Sequence, residues 1–256
     1  MMQPMLKLGM MLAGIMLGYG ATAAEVLMVA DEFPAMHVLA DKLKAQDALT
    51  SRVVAQTNLP PDLSRFAAVV VYIHGKLLEP AERAMIAYTE AGGKLVPLHH
   101  SISSGKRANR FWFKFLGVTL PTGDVQSGGY KWTEGVTIQC VNLAPGHFIT
   151  TNRIAYPARI AWHGVEADPR DQALPGFILH HSEVYLNHKL TDPRTLLLGL
   201  SYTEAASGQV YEQRHAGWVK PAGKGWIVYL MPGHSTLEFE DPTYARLVAN
   251  AVVWRP

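Results

Sequence analysis

One cysteine, Cys140, stands in a chain of 256 residues. An internal disulfide is therefore impossible, and the fold must rest on its core and its hydrogen bonds. Charge of one sign is equally scarce. Lys and Arg number 23 against 21 Asp and Glu, for a net charge of +2. With no basic block in the chain, nucleic acid is not an expected partner. Long apolar runs are nearly absent. Only Leu8 to Tyr19 approaches one, and it is shorter than the roughly 20 residues of a membrane span, so no transmembrane segment is expected in the mature chain. Internal repeats and low-complexity stretches are missing too.

That N-terminal run has another reading. Met1 to Ala24 carries a single charge, Lys7, ahead of the apolar stretch, and Ala21-Thr22-Ala23-Ala24 supplies small residues at the −3 and −1 positions. This is the pattern of a secretory signal cleaved after Ala23 or Ala24. Losing Lys7 leaves the mature chain almost neutral. An exported protein without disulfides suits a bacterial periplasm. The remainder, 25–256, is long enough to bury a proper core and fits one domain.

Glu25 to Ala30 is a continuous apolar run and predicts a buried parallel strand. Met36, Leu39, Ala40 and Leu43 follow at helical spacing. Arg52 to Ala55 reads as a short second strand. Ala67 to Ile73 reads as the next buried strand, ending at His74-Gly75. A helix is expected from Pro80 to Ala91, with proline in its first turn and Gly92-Gly93 as its stop. Leu95 to Leu98 is then a short strand that runs into His99-His100-Ser101. Arg107 to Leu116 reads as another helix. This alternation predicts a parallel sheet covered by helices on both faces, most economically a flavodoxin-like three-layer α/β arrangement. From Gly117 to Gly208 glycines and prolines are frequent, and an inserted region of short strands and loops laid over the strand ends is expected. Gly225 to Met231 restores the apolar-strand pattern and ends at Pro232-Gly233-His234-Ser235. Asp241-Pro242 opens a last helix.

Three segments carry a family resemblance: Gly92-Gly93-Lys94-Leu95-Val96-Pro97-Leu98-His99; Ser182-Glu183-Val184-Tyr185; and Gly223 to Tyr229 through Gly233-His234-Ser235, Asp241-Pro242 and Asn250 to Trp254. On these the chain resembles the ThuA-like (trehalose utilisation) proteins, relatives of the class I glutamine amidotransferase-like superfamily. The second segment is similar to the family's Asp-Glu-Leu-Tyr element. The third holds its glycines, strand, Gly-His pair, Asp-Pro and terminal tryptophan in the family's order. Pro97 stands where the family usually has glycine, and Gly128 to Trp132 matches only loosely. The resemblance covers nearly all of the mature chain and implies a setting in carbohydrate metabolism. Amidotransferases place a nucleophilic cysteine after the central strand. Here that place holds His99, His100 and Ser101, so glutamine hydrolysis by a thiolate is excluded.

The resemblance brings His99, Glu183 and His234 together as the catalytic candidates. Two stand at expected strand ends, where α/β sheets bind ligands, and Glu183 is expected on a loop folding over them. Histidine exchanges protons near neutral pH, and a carboxylate beside it orients the ring or acts as the base. Two histidines and a glutamate also form a ligand set for a divalent metal such as zinc; the sequence alone leaves both readings open. Trp132 and Tyr185 offer aromatic faces to a sugar ring, and His74 joins them as a substrate-binding candidate, whereas Trp162 reads as core. His100, His180, His181 and His188 read as surface or outer residues, with His181 an alternative ligand beside Glu183. Ser101 beside His100 is a nucleophile–base pair that sequence neighbours rarely form. Cys140 reads as a buried apolar filler. The expected function is an enzyme acting on a sugar or keto-sugar derivative. A non-catalytic carbohydrate-binding module or scaffold on the same fold is the alternative.

Overall fold

The computed structural model describes residues 25–164 and 172–256. The expected signal, Met1 to Ala24, lies outside them. The first half alternates strands and helices: β1 (Glu25–Ala30), α1 (Phe33–Asp47), β2 (Thr50–Val54), β3 (Ala68–Tyr72), α2 (Glu79–Glu90) and β4 (Lys94–Pro97). Val26 to Ala30 and Ala68 to Tyr72 are fully buried, as befits strands covered on both faces. In α1 the inward residues are Ala35, Met36, Leu39 and Leu43. Gly92 follows α2 at φ 123°, a conformation that favours glycine.

A short helix α3 (Trp112–Leu116) and strand β5 (Val118–Thr119) lead into β6 (Lys131–Asn142), α4 (Phe148–Thr151), β7 (Ala158–Trp162), β8 (Gln172–Leu186) and β9 (Lys189–Leu190). Then come β10 (Thr195–Thr203), β11 (Val210–Ala222), β12 (Gly225–Leu230), α5 (Thr236–Glu240) and α6 (Pro242–Val253). Asp241 caps α6 by accepting the amides of Thr243 and Tyr244, with Pro242 in the first turn.

Among the described residues ten strands form one sheet in the order β2-β1-β3-β4-β12-β11-β10-β6-β8-β7, and β5 pairs with β9 apart from it. The pairs from β2 to β12 are parallel, and those from β12 to β7 are antiparallel. The expected all-parallel sheet is thus corrected to a mixed one flanked by helices. The stretch 117–208 is not mainly loops over the strand ends. It supplies β6, β7, β8 and β10, most of the antiparallel half of the same sheet. The helix expected from Arg107 is shorter, because 3-10 turns occupy Ser104–Ala108 and the α-helix begins at Trp112. α1, α5 and α6 pack together on one face, while α2 lies against β4 and β12.

Four strands separate β4 from β8. A twist of about 20–25° at each step turns β8 roughly 100° away from β4. Register shifts in β10–β11 and β6–β8 bend the sheet further. The end of β8 therefore reaches back over the carboxyl ends of the parallel strands, where Glu183 meets His99.

Candidate functional site

His99 follows β4 in the left-handed region, at φ 33°, and its ring is fully buried. Its Nδ1 donates to the carbonyl of Met231 at 2.6 Å. A carbonyl only accepts, so this contact assigns the proton to Nδ1 and gives Nε2 the lone pair of the neutral ring. Nε2 lies 2.8 Å from Glu183 Oε2, 3.3 Å from His234 Nδ1 and 3.4 Å from the Tyr185 hydroxyl.

Glu183 and Tyr185 stand two residues apart on β8 and so share a face. Tyr185 donates to Glu183 Oε2 at 2.6 Å. The strand places Glu183 opposite Glu134 of β6; the loop expected to carry it is a strand. His234 sits past the end of β12. Its turn is held by the Tyr72 hydroxyl on the His234 carbonyl, the Tyr244 hydroxyl on that of Pro232, and Glu238 accepting the amide of Gly233 at 2.6 Å. His234 Nδ1 is 3.5 Å from Glu183 Oε2.

His100 is the correction among the candidates. The sequence reading puts it at the surface or outside the ligand set, yet it is 2 % exposed, with Nε2 3.6 Å from Glu183 Oε2. The reason is local. β4 ends at Pro97 and a 3-10 turn spans His99–Ile102, so the alternation of a strand no longer sends neighbouring side chains to opposite faces. Both ring nitrogens of His100 are buried without a hydrogen-bond partner among the described residues. One ligand-type atom from each of His99, His100, Glu183 and His234 falls within a group whose members lie within 4.8 Å of one another.

Burial by itself disfavours the Glu183 carboxylate. The hydrogen bonds from His234 and Tyr185, and that from His99 together with its charge once Nε2 also takes a proton, outweigh it and hold the carboxyl well below its ordinary range. The bond to Glu183 raises the His234 pKa, against burial. Burial and the neighbouring His99 and His74 push His100 down to about 2, so its ring stays neutral. Burial and Glu183 hold the Tyr185 phenol protonated.

The remaining expected residues fall as follows. Tyr185 is buried inside the cluster. Trp132, across the strand pair from Tyr185, is 49 % exposed. His74 is exposed and stacks on His100 with ring centroids 4.2 Å apart. His180 and His181 are exposed, and His188 is buried beside His215. Ser101 Oγ bonds the Val71 carbonyl at 3.4 Å, not a histidine. Cys140 is fully buried, as expected. A cleft of about 910 Å³ opens at the opposite, amino end of the strands between Lys94, Trp226 and Trp254; none of the clustered histidines lines it.

One residue gave no sequence signal. Lys106 is fully buried, and its Nζ shares its hydrogens, three at most, among the carbonyls of Ile73, His74, Gly75 and His100, at 2.7, 3.2, 2.5 and 3.0 Å. It ties the loop after β3 to the turn after β4, and so ties His74 to His100. A Lys106→Met variant is expected to lose about 3 kcal/mol, since four carbonyls lose the buried donor they share. Urea unfolding at pH 7 measures this, and a loss below about 0.5 kcal/mol would remove the clamp from the account.

The site fits a divalent metal. Tetrahedral zinc with bonds of 2.0–2.1 Å spaces its donors about 3.3 Å apart. Four of the six donor pairs here lie 2.8, 3.3, 3.5 and 3.6 Å apart, and all lie within 4.8 Å.

Residues 27–255 match the family description "ThuA: Trehalose utilisation". No curated protein sequence matches the chain. Among solved structures, a ThuA-like protein from Bacteroides uniformis ATCC 8492 superposes with a TM-score of 0.61 at 18% identity, over 93% of this chain and 94% of that one. A second, from Parabacteroides merdae ATCC 43184, gives 0.60 at 13%, over 90% and 89%. A β-galactosidase from Rahnella sp. R3 gives 0.53 at 13%, over 90% of this chain but 30% of that one. At these identities the likeness is one of fold.

Proposed function

The chain belongs to the ThuA, or trehalose utilisation, family, and from that premise we propose an enzyme acting on a sugar or keto-sugar derivative. Proton transfer takes place at His99, Glu183 and His234, beside a divalent cation such as zinc. The observation that carries this reading is the 2.8 Å approach of His99 Nε2 to Glu183 Oε2. With Nδ1 committed to Met231, a lone pair faces a carboxylate oxygen, and only a positive charge between them makes that contact favourable. A proton or a metal ion supplies it. The orphaned nitrogens of His100 favour the ion, which gives Nε2 a partner.

When bound, such a cation polarises a substrate oxygen and acidifies water. The chain's own groups have separable roles. His99, His100, Glu183 and His234 are the ligand set. Glu183, kept charged, supplies the negative charge that would hold the cation and orients His99 and His234 for proton exchange. Tyr185, kept protonated, spends its one hydroxyl proton on Glu183 and fixes that carboxylate in place. His234, the most exposed of the four with a side chain 23% accessible, exchanges protons with substrate and solvent. Trp132 and His74 stand outside the buried cluster as contacts for the sugar. The set suits hydrolysis, isomerisation or elimination on hydroxy- and keto-sugars.

Two wider points belong to the same reading. The parallel strands, counted alone, run 2-1-3-4-5, which supports a flavodoxin-like core, and with it kinship to the class I glutamine amidotransferase-like proteins, in a single domain over 25–256. The apolar run and small residues of Met1 to Ala24 support export to the periplasm.

The test is metal content of protein purified without chelator, followed by a turnover screen over keto- and hydroxy-sugars. We expect at least one equivalent of divalent metal, and turnover that disappears with chelator and returns with zinc. Sugar binding without turnover, in protein that holds no metal, would establish the non-catalytic carbohydrate-binding alternative instead.

A further inference from the structure

We propose that Glu32, His74 and His100 hold a second divalent cation, so that His100 joins two metal centres. The inference rests on the reading of the first centre as a metal site. It is carried by a second group of ligand-type atoms, from Glu32, His74 and His100, within 4.8 Å of one another, and by the ring of His100, which belongs to both groups.

The topology places the two groups side by side. β1, β3 and β4 are neighbours in the sheet. Glu32 follows β1, His74 follows β3 and His100 follows β4, so the three stand in a row along the carboxyl edge, where such sheets bind ligands. His234, past β12, continues the row on the other side. The backbone that carries the second group is held in place. Both carboxylate oxygens of Asp31 accept the amide of His74, at 2.8 and 2.9 Å. Glu32 Oε1 lies 3.0 Å from His74 Nδ1. Lys106 fixes the carbonyls of His74 and His100 to one ammonium.

The second observation is the ring of His100 itself. Nε2 faces Glu183. Nδ1 is also buried, and it too has no hydrogen-bond partner among the described residues. An ion in the first centre satisfies one nitrogen and leaves the other orphaned, which is costly inside a protein. A second ion on Glu32, His74 and Nδ1 satisfies both. The ring then carries no proton, and the proton it held passes to solvent as the second ion binds. Glu32 and His74 are side chains 42% and 63% accessible, so the second centre is open to water, its His74 ring can turn toward a ligand position, and its ion is the more weakly held. Two ions on the two nitrogens of one ring stand farther apart than the roughly 3.5–4 Å of paired-metal sites, so the second would take a different oxygen of the sugar from the first.

The experiment is calorimetric titration of chelator-treated, full-length mature protein with Zn²⁺. Three proteins are compared: wild type, the double variant Glu32→Gln with His74→Ala, and the double variant Glu183→Gln with His234→Ala. Circular dichroism confirms the fold of each. The substituted side chains Glu32 and His74 lie at the surface, so their loss should leave the core intact. We expect two equivalents in wild type and one in each variant. One equivalent in wild type that survives in the Glu32–His74 variant overturns the second site and leaves the first standing. One equivalent lost in that variant but kept in the Glu183–His234 variant supports this site and removes the first. A single equivalent lost in both variants means one shared ion and overturns the pair. Two equivalents in the Glu32–His74 variant place the second ion elsewhere, and none in wild type removes both centres.

Discussion

Glutamine at position 183 should lower turnover by about 10³-fold or more and weaken zinc binding by at least about 100-fold, with the fold retained. The substitution keeps the shape of the side chain and removes its charge. Tyr185 still finds an oxygen, but His99, His100 and His234 lose the anion on which they converge. A spectroscopic signature separates this from unfolding. The bond to Glu183 is the main cause of the raised pKa of His234, so in Glu183→Gln that pKa should fall back toward 6.5, the ordinary value for histidine. Titration of the His234 ring by NMR in metal-free protein reads it directly. The sign also appears in stability. A raised folded pKa stabilises below the unfolded pKa, and that gain is lost as pH rises through the folded value; the variant should lack this loss on the alkaline side. Wild-type turnover in Glu183→Gln would sink the catalytic assignment.

The second large effect lies away from the site. His188 and His215 are neighbours, with ring centroids 4.3 Å apart, and each has a buried Nδ1 without a hydrogen-bond partner among the described residues. Burial, and the charge His215 would carry, hold His188 well below its ordinary pKa. Burial, Arg194 and Arg214 bring His215 to about 4. Below pH 6.5 the unfolded chain therefore binds more protons at these residues than the folded one, and stability falls as pH falls. Each group contributes up to about 1.4 kcal/mol per pH unit. From pH 6.5 to 4 the pair costs several kcal/mol, a large part of a typical stability of 5–15 kcal/mol. Urea unfolding at pH 7, 6 and 5 should show the slope, and His215→Gln should remove about a third of it, because the buried His100 contributes alongside the pair. A flat profile in wild type would mean that both rings accept protons in the folded state.

The sequence disclosed this molecule unevenly, for identifiable reasons. β1, β3 and β12 are unbroken apolar runs, and the Gly92-Gly93 and Pro232-Gly233 turns mark where chains leave the sheet, so His99 and His234 could be placed at strand ends. The antiparallel half was obscured by its own irregularity. β8 has consecutive exposed residues at His180 and His181, with His181 at φ 55°. That break destroys the alternation by which a half-buried strand is recognised, and Glu183 lies just beyond it. Its place near His99 came from the family resemblance alone. His100 was misread because a strand that gives way to a 3-10 turn sends adjacent rings to one side. Lys106 was unreadable, because a lysine that ends among backbone carbonyls looks like any surface lysine in the sequence.

The curl of the sheet also bears on the order of folding. The His99–Glu183 contact joins residues 84 apart in the chain, and the His99–His234 contact joins residues 135 apart. Contacts of such separation carry the largest loop-closure entropy and form late. Four strands must pair between β4 and β8 before the carboxylate reaches its histidines. The cluster therefore exists only once β4, β8 and β12 have come together, and an ion bound there reports that closure, where a probe of the parallel half alone would report success too soon.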